Sequence, residues 1–471
     1  MSAPATAPLG VRAPLGAVQR MMWAAYRISP DSSVYNIVMP LRVRGRLDVP
    51  ALAAAVAETG RRQAQLRSRF TEVDGVPVRE ESAEPLAVLE VRDVPGIDED
   101  GLRRLAREEG ERRFALEESG ALRVVLLRRA DDDFALVPAT HHIVGDFTSR
   151  WLLVRDLLDA YRGLAVDEAP AWRPLTGSYA DQVEQERAYL DSPAGQRGAA
   201  YWRQLTDGVP AAELPLDRPR PPRPGHRGAT VAVPLDPALT GRVAERAKEI
   251  GQTPFALHLG VFQALVARWT GQEDFLVGVP ASSRMGRHAR DLIGCFLNTL
   301  PVRGRFTAAT TFTEAATAAG EGILGGMVNA RYPCTLIGPR PAGSPLFRIG
   351  AFLVQMDRME PPVPTVPRGL PEGPALEYEG LSLALIDVPQ QEGQLDLMLR
   401  LEQEPTGTTA VFSYDTDLFD AATADRFASA YLRFLRAALD APAAVVADVP
   451  LAGDEELAAL LAFGESEESL W

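Results

Sequence analysis

The segment THHIVGDFTS, residues 140–149, decides how this chain is interpreted. It closes the stretch 121–142, in which two apolar runs separated by an acidic turn predict a β-hairpin. Pro138 is expected to weaken the second strand because it cannot donate a ladder hydrogen bond. After the segment, apolar residues at helical spacing predict an amphipathic helix capped by Thr148 or Ser149: Val154, Leu157, Leu158 and Tyr161. Residues 140–149 therefore form a strand-to-helix turn, from which side chains protrude off a rigid scaffold.

Two adjacent histidines, His141 and His142, stand in this turn, and Asp146 follows four residues later. Neighbouring residues of a strand point to opposite faces, so the pair does not easily share one metal ion. No nearby cysteine or carboxylate completes a ligand set at a familiar spacing. Two interpretations stay open from the residues alone, namely structural histidines at a strand end and an imidazole that handles protons near neutral pH.

The rest of the chain alternates predicted strands and helices, which indicates an α/β fold with two lobes. Residues 1–14 are rich in Ala and Pro and are predicted to be disordered. The predicted divisions are an N-terminal lobe at 15–175, an inter-lobe linker region at 176–228, a C-terminal lobe at 229–447 and a linker or tail at 448–471. The linker region contains 210–228, which is dense in Pro, Arg and Gly.

Bulk composition excludes several functional classes. The formal net charge of -14 argues against a nucleic-acid partner, whose phosphates require a basic face. Cys295 and Cys334 have no zinc or redox spacing, so a reducing compartment is expected. The N-terminus lacks the apolar core of a signal peptide, and no apolar run reaches the ~18–20 residues of a membrane span. The sequence therefore predicts a cytoplasmic protein without a membrane partner.

The turn resembles the His-His-x-x-x-Asp-Gly signature of nonribosomal peptide synthetase condensation domains. Further segments resemble this family in the family's order: GAVQRMMW (16–23), RQAQLRSRF (62–70), SYADQV (178–183), AAYWRQLTDG (199–208), DLIGCFLNTLPVR (291–303), RYPCTLI (331–337), SPLFRIGAFLVQM (344–356), QLDLMLRLEQ (394–403) and FSYDTDLFDAAT (412–423). The chain departs from the family pattern at three places. Phe147 replaces the motif Gly, Gln63 and Ala64 replace His-Glu, and Thr335 replaces Glu.

The resemblance implies two chloramphenicol-acetyltransferase-like lobes in a V, with a tunnel between them and His142 near its middle. Donor and acceptor peptidyl or acyl carrier proteins dock at opposite ends and feed in substrates on phosphopantetheine arms. No cofactor or metal of the domain's own is expected.

The resemblance also implies roles for individual residues. His142 is assigned to the reaction, as base or as hydrogen-bond positioner, while His141 supports the turn. Asp146 is expected to pair with Arg284 of the other lobe. Asn298 is expected in a loop at the tunnel floor, near the reacting thioester or capping a turn. The remaining supporting positions are Gly145, which lies inside the motif, and Phe147, which replaces the motif Gly.

The predicted function is amide-bond formation between two carrier-bound substrates in nonribosomal peptide or hybrid polyketide–peptide biosynthesis. An ester-forming relative with a hydroxyl acceptor is the first alternative, and Phe147 beside His142 hints at it. The second is an inactive condensation-like domain that recruits other proteins. An epimerisation domain is less consistent with QLDLMLRLEQ, and a heterocyclisation domain would replace the histidine pair with Asp. Since the chain has no adenylation motif or carrier attachment site, an adenylation domain or other synthetase modules are expected partners.

Overall fold

The computed structural model describes residues 9–222, 225, 227–338, 345–355, 366, 372–388, 394–404 and 407–453. The strands in this part of the chain are β1 (Leu9–Pro14), β2 (Asn36–Val38), β3 (Leu41–Arg44), β4 (Ser68–Val73), β5 (Val76–Ser82), β6 (Leu89–Asp93), β7 (Leu122–Ala130), β8 (Asp133–His141), β9 (Gly228–Leu235), β10 (Asp274–Ser282), β11 (Leu297–Arg305), β12 (Ile349–Gln355), β13 (Leu376–Tyr378), β14 (Leu381–Leu385), β15 (Leu397–Glu404) and β16 (Gly407–Asp415). The α-helices are α1 (Ala17–Ile28), α2 (Val49–Arg62), α3 (Glu99–Glu111), α4 (Phe147–Leu164), α5 (Tyr179–Asp191), α6 (Pro193–Thr206), α7 (Pro237–Glu249), α8 (Pro254–Thr270), α9 (Phe312–Val328) and α10 (Ala421–Asp440).

The N-terminal lobe is built on a seven-stranded sheet in the order β13-β14-β3-β8-β7-β6, with β2 also pairing with β8. β7 contains Val124–Leu127, four consecutive buried apolar residues, as expected of a strand covered on both faces. The hairpin of β7 and β8 has the predicted form, and Leu126 faces Leu136 across it. Pro138 lies inside β8 opposite Val124, so the strand continues through the proline.

The C-terminal lobe is built on a six-stranded mixed sheet in the order β11-β10-β12-β15-β16-β9. Twelve of the 17 residues of α8 are buried, as expected of a helix that is apolar around most of its circumference. Gly260 allows α9 to approach, because a Cβ there would lie 2.6 Å from the Cα of Ala316. The α/β fold with two lobes is thus confirmed.

The predicted divisions of the chain need three corrections. Residues 9–14, expected to be disordered, form β1 and pair with β5, while residues 1–8 lie outside the described part. The linker region 176–228 contains α5 and α6, and Trp202 of α6 is buried in the C-terminal core. That core also includes Val449, so the lobe extends beyond residue 447, whereas 454–471 lie outside the described residues.

A fourth correction concerns the sheets. β13 and β14 come from the C-terminal half of the chain, yet they belong to the N-terminal sheet, where Leu383 faces Val43 of β3. Leu381 and Leu383 are buried in the N-terminal core. A single division at the linker predicts one crossing between the lobes, and the passage through β13 and β14 adds two more.

Among the described residues, no single helix has the length and apolar composition that a membrane span requires. One bent pair, α7 with α8, meets that criterion only jointly, across an angle of 97°.

Candidate active site

The turn that follows β8 carries the two histidines. β2 pairs with the end of β8 and places Asn36 opposite His141. The backbone N–H of His142 then donates to the carbonyl of Tyr35 at 2.7 Å, and the chain makes a short 3-10 helix at His142–Val144 before α4 begins. The turn is therefore held by backbone hydrogen bonds on the strand side, as a rigid support for a reactive side chain requires.

A cavity of about 510 Å³ lies between the two lobes and includes His142 in its wall. Its N-terminal wall comes from β2, the histidine turn and the start of α4. Its C-terminal wall comes from β10, β12, β15 and the residues before β11. Side chains that represent these walls are Asn36, Phe147, Ser282, Phe296, Phe352 and Met398. A mostly apolar cleft of this size between lobes is a typical site for a small-molecule group.

The His142 ring is uncharged at neutral pH in these surroundings. Burial between the lobes lowers its pKa from 6.5, and this effect exceeds the opposing influence of the Asp146 charge and of the His142 and Gly145 carbonyls. Part of the side chain stays open to the cavity, while Nδ1 is buried without a hydrogen-bond partner among the described residues. A neutral imidazole that borders the cavity can accept a proton there.

His141 faces the opposite way, into the N-terminal core. Its Nδ1 accepts a hydrogen bond from the backbone N–H of Ile143 at 3.1 Å, and the rings of Tyr26, Tyr35 and Phe114 surround it. Burial lowers its pKa to about 3, so the ring remains neutral. The two histidines therefore do not converge on one point, as the alternation of a strand predicts.

Asp146 connects the two lobes. The carboxylate accepts from the backbone N–H of Ser149 at 2.7 Å, which makes Asp146 the N-cap of α4 in place of the predicted Thr148 or Ser149. Arg284 of the C-terminal lobe donates to both carboxylate oxygens, at 3.1 and 3.3 Å. The backbone N–H of Phe296 adds a bond at 3.3 Å. Asp146 is only 6% exposed, so Arg284 rather than water balances its negative charge.

Arg284 has further partners that fix it in place. It donates to the carbonyls of Ala289 and Leu292, and to the Ser149 hydroxyl at 3.0 Å. Its guanidinium carbon lies 4.1 Å from the centre of the Phe296 ring. The arginine therefore joins the histidine turn to the segment that precedes β11.

Gly145 and Ser149 pack closely beneath the turn. A Cβ on Gly145 would lie 3.3 Å from the Cβ of Ser149, tighter than ordinary contact. The Ser149 hydroxyl donates to the carbonyl of Gly294 at 2.9 Å and accepts from its N–H at 3.1 Å. A side chain at position 145 would push against this inter-lobe contact.

Phe147 occupies the first position of α4, with the half-buried ring in the cavity wall. Its φ lies outside the left-handed region, so the turn does not need the glycine that the family pattern has here. The guanidinium carbon of Arg150 lies 4.1 Å from the centre of the Phe147 ring. The replacement of Gly by Phe thus changes the cavity wall and not the backbone.

Asn298 is in β11 and not in a loop, contrary to the expectation from sequence, and lies opposite Ala281 of β10. Its amide nitrogen donates to the carbonyls of Ala330 and Tyr332, and its oxygen accepts from the N–H groups of Thr299 and Cys334. These four bonds use the full capacity of an amide. Asn298 therefore fastens the segment 330–334 and has no donor left for a thioester.

Several residues of this region have no individual signal in the sequence. Asn36, Ser282 and Met398 enter the cavity wall only because distant strands meet there. Ser149 is noted in the sequence only as a candidate cap and Gln63 only as a departure from the family pattern, and neither signal predicts the hydrogen bonds that these residues form between the lobes. Among the residues that the structure describes, no group of three His, Cys, Asp or Glu side chains is arranged to hold a metal ion.

Comparisons with known proteins agree with this geometry. A family model described as "Condensation domain" matches residues 11–461. A linear gramicidin synthase polypeptide of Brevibacillus parabrevis is 30% identical over 458 residues, which are 94% of this chain but 9% of that polypeptide. The X-domain in its complex with OxyB from teicoplanin biosynthesis has a TM-score of 0.84 at 26% identity, over 96% of this chain and 99% of that one. A four-domain nonribosomal peptide synthetase bound to AMP and glycine gives a TM-score of 0.86 at 22% identity, over 96% and 35%.

Proposed function

The chain belongs to the condensation-domain family, and on that premise we propose that it joins a carrier-bound acyl thioester to a carrier-bound amine in nonribosomal peptide or hybrid polyketide–peptide biosynthesis. Condensation domains of nonribosomal peptide synthetases are acyltransferases that form amide bonds. The observation that carries the proposal for this chain is the position of His142, a neutral imidazole in the wall of the cavity between the lobes.

The chemistry requires one bond to form and one to break. The acceptor amine attacks the thioester carbonyl, the C–N bond forms, the C–S bond breaks, and the donor arm leaves as a thiol. The amine loses one proton in this exchange, and the thiolate gains one. We assign to His142 the acceptance of that proton, or the hydrogen bond that orients the amine, and a neutral ring suits either role.

Positioning of the two substrates is a main source of acceleration in this proposal. A thioester is already activated, so holding amine and carbonyl in contact can remove ~7–11 kcal/mol of barrier when the alignment is good. The cavity lies between the lobes, and its walls come from both. This arrangement suits two phosphopantetheine arms that enter from opposite ends, with no cofactor of the domain's own.

The partners in this proposal are donor and acceptor carrier proteins, together with an adenylation domain or other synthetase modules. The chain spans 9% of the gramicidin synthase polypeptide and 35% of the four-domain synthetase, so its relatives occur within larger assemblies. The cytoplasmic location stays a prediction from the sequence.

Recruitment without catalysis is the second candidate function. The structure of the X-domain was determined in complex with OxyB, and this chain matches that domain over 96% of its length. The position of His142 in the cavity wall favours catalysis over recruitment.

The test is an intact-mass assay with loaded donor and acceptor carrier proteins, using matched amine and hydroxyl acceptors. We expect the donor acyl group to appear on the amine acceptor through an amide. An ester on the hydroxyl acceptor alone would support the ester-forming alternative. No transfer to either acceptor, with both carriers loaded and the domain folded, would overturn the acyltransferase proposal.

A further inference from the structure

Gln63 lies at the end of α2, where the family pattern has His, and it makes hydrogen bonds to both lobes. Its amide nitrogen donates to the carboxylate of Asp156 at 2.8 Å and to the backbone carbonyl of Asp291 at 3.0 Å. Its oxygen accepts from the backbone N–H of Ile293 at 3.0 Å. The side chain is 1% exposed, so water cannot replace these bonds.

The segment 291–296, which Gln63 holds, also contacts the histidine turn. The backbone of Gly294 exchanges two hydrogen bonds with the Ser149 hydroxyl, and the N–H of Phe296 donates to Asp146. Phe296 is in addition part of the cavity wall. We call Gln63, Asp146, Ser149 and the segment 291–296 the inter-lobe clamp.

Charged neighbours fix the N-terminal end of the clamp. Asp156 is fully buried and accepts from Arg62 at 2.8 Å as well as from Gln63. Arg155 donates to Asp156 and reaches across to the Asp291 carboxylate at 2.8 Å. Gln63 therefore contacts a carboxylate that its neighbours hold in one place, as a positioning group requires.

We propose that Gln63 is a positioning residue for the condensation reaction, and that it sets the C-terminal cavity wall relative to His142 through the inter-lobe clamp. This inference rests on the proposed function. A glutamine suits the position because its amide offers two donors and an acceptor at one end of the side chain, and all three functions are in use. A neutral histidine has one donor and one acceptor, so Gln63→His can retain at most two of the three bonds.

The test compares Gln63→Leu with Gln263→Leu in the intact domain. Gln263 is a matched control, since it is also buried, and its amide donates to the Val302 carbonyl at 3.3 Å within the C-terminal lobe. We expect both variants to melt at a lower temperature. Only Gln63→Leu should lower kcat per folded molecule, by about ten- to hundredfold, because a displacement of about 1 Å at reacting atoms has that effect. The KM for each carrier protein should stay within about twofold, because the proposed function has the carrier proteins dock at the two ends of the cavity, away from Gln63.

A second readout measures the lobes directly. Spin labels on Arg107→Cys of α3 and Glu245→Cys of α7, both exposed positions, report the distance between the lobes. The half-buried Cys334 is changed to Ser beforehand, while Cys295 is buried. We expect Gln63→Leu to broaden the distance distribution, Gln63→His to broaden it less, and Gln263→Leu to leave it unchanged.

The two proposals fail differently. If the unsubstituted domain does not condense loaded carriers, the proposed function is wrong, and the label distances still test whether Gln63 holds the lobes. If the domain is active and Gln63→Leu keeps both its kcat and its distance distribution, the positioning role is overturned. If Gln63→Leu does not fold, the same two measurements on Gln63→His decide the question.

Discussion

Replacement of Asp146 by Ala should destabilise the domain more than it impairs the chemistry. The change removes an N-cap bond, typically about 1 kcal/mol, and leaves the Arg284 charge alone in a buried site, at about 3–5 kcal/mol. Three oxygen acceptors still contact Arg284, on Ala289, Leu292 and Ser149. We therefore take the lower end for the ion pair and expect a total loss of about 4 kcal/mol.

A loss of that size is easily measured. For lobes of this length, each kcal/mol corresponds to about 2–4 °C, so the melting temperature should fall by roughly 8–16 °C. Thermal melting by circular dichroism gives this shift, and urea unfolding gives the free energy. Asp236→Ala is the matched control, because Asp236 caps α7 through a 2.7 Å bond to the Leu239 N–H and is in no ion pair that the structure describes.

A double-mutant cycle separates the free energy of the Asp146–Arg284 ion pair from that of the N-cap bond. Arg284→Ala should destabilise the domain as well, and the double variant should lose less than the sum of the two single changes. A melting shift for Asp146→Ala no larger than that of Asp236→Ala would mean that the ion pair contributes nothing. If Asp146→Ala and Arg284→Ala both melt like the unsubstituted domain and only turnover falls, the structural assignment of Asp146 is wrong.

Four further predictions concern the reaction. His142→Ala should abolish or severely reduce condensation without changing the melting curve, whereas His288→Ala, at an exposed histidine, should leave condensation unchanged. Near-normal turnover of folded His142→Ala would rule out a central role for His142. Phe147→Gly should change the ratio of amine to alcohol acceptors in a competition assay, and Phe147→Leu should change it less; an unchanged ratio with a lowered melting temperature would show that Phe147 only packs. Because burial lowers the pKa of His142 below 6.5, kcat/KM should stay constant as the pH falls through 6.5 and should decline only at lower pH. A decline centred at or above pH 6.5 would contradict the lowered pKa of His142. Chelation should not affect turnover, and loss of activity that one added metal restores would refute this.

Local patterns in the sequence are sufficient to predict most elements and the reactive turn. The 3.6-residue spacing after the histidine pair predicts α4. Gly251 as a helix end and Thr253-Pro254 as a helix start predict helices at 236–250 and 254–269, which correspond to α7 and α8. The apolar run at 34–45 predicts one strand, but Pro40 separates it into β2 and β3, since proline has no N–H for a ladder. These elements can be predicted because they depend on residues that are close together in the sequence.

The sequence contains the signal for the N-cap of α4 at Asp146, although Thr148 or Ser149 is the predicted cap. Asp is as good an N-cap as Ser or Thr, and Asp146 stands three residues before Ser149, whose N–H it accepts. The family resemblance assigns Asp146 to an ion pair, and that role does not exclude the local one. The contact between Asp146 and Arg284 is present in the structure, and one carboxylate performs both functions.

Contacts between distant segments cannot be predicted from the sequence in this way. The hydrogen bonds of Gln63 join residues separated by 228 and 230 positions, and no periodicity marks such a partner. The family motif predicts a loop at Asn298, whereas its β-ladder with Ala281 depends on the register of β10 and β11. Strand pairing of this kind depends on packing of whole sheets.

The crossing of β13 and β14 limits how this domain can be recombined with others. Exchange of one lobe at the Pro-rich stretch 210–228 would separate the N-terminal lobe from β14, which pairs with β3, and from β13, which pairs with β14. Val43 and its neighbours in β3 would then form an exposed edge, and such edges pair with other chains and aggregate. A chimera that keeps residues 376–388 matched to the N-terminal lobe retains the strand pairing and the buried Leu381 and Leu383, so crossover points belong on either side of that hairpin.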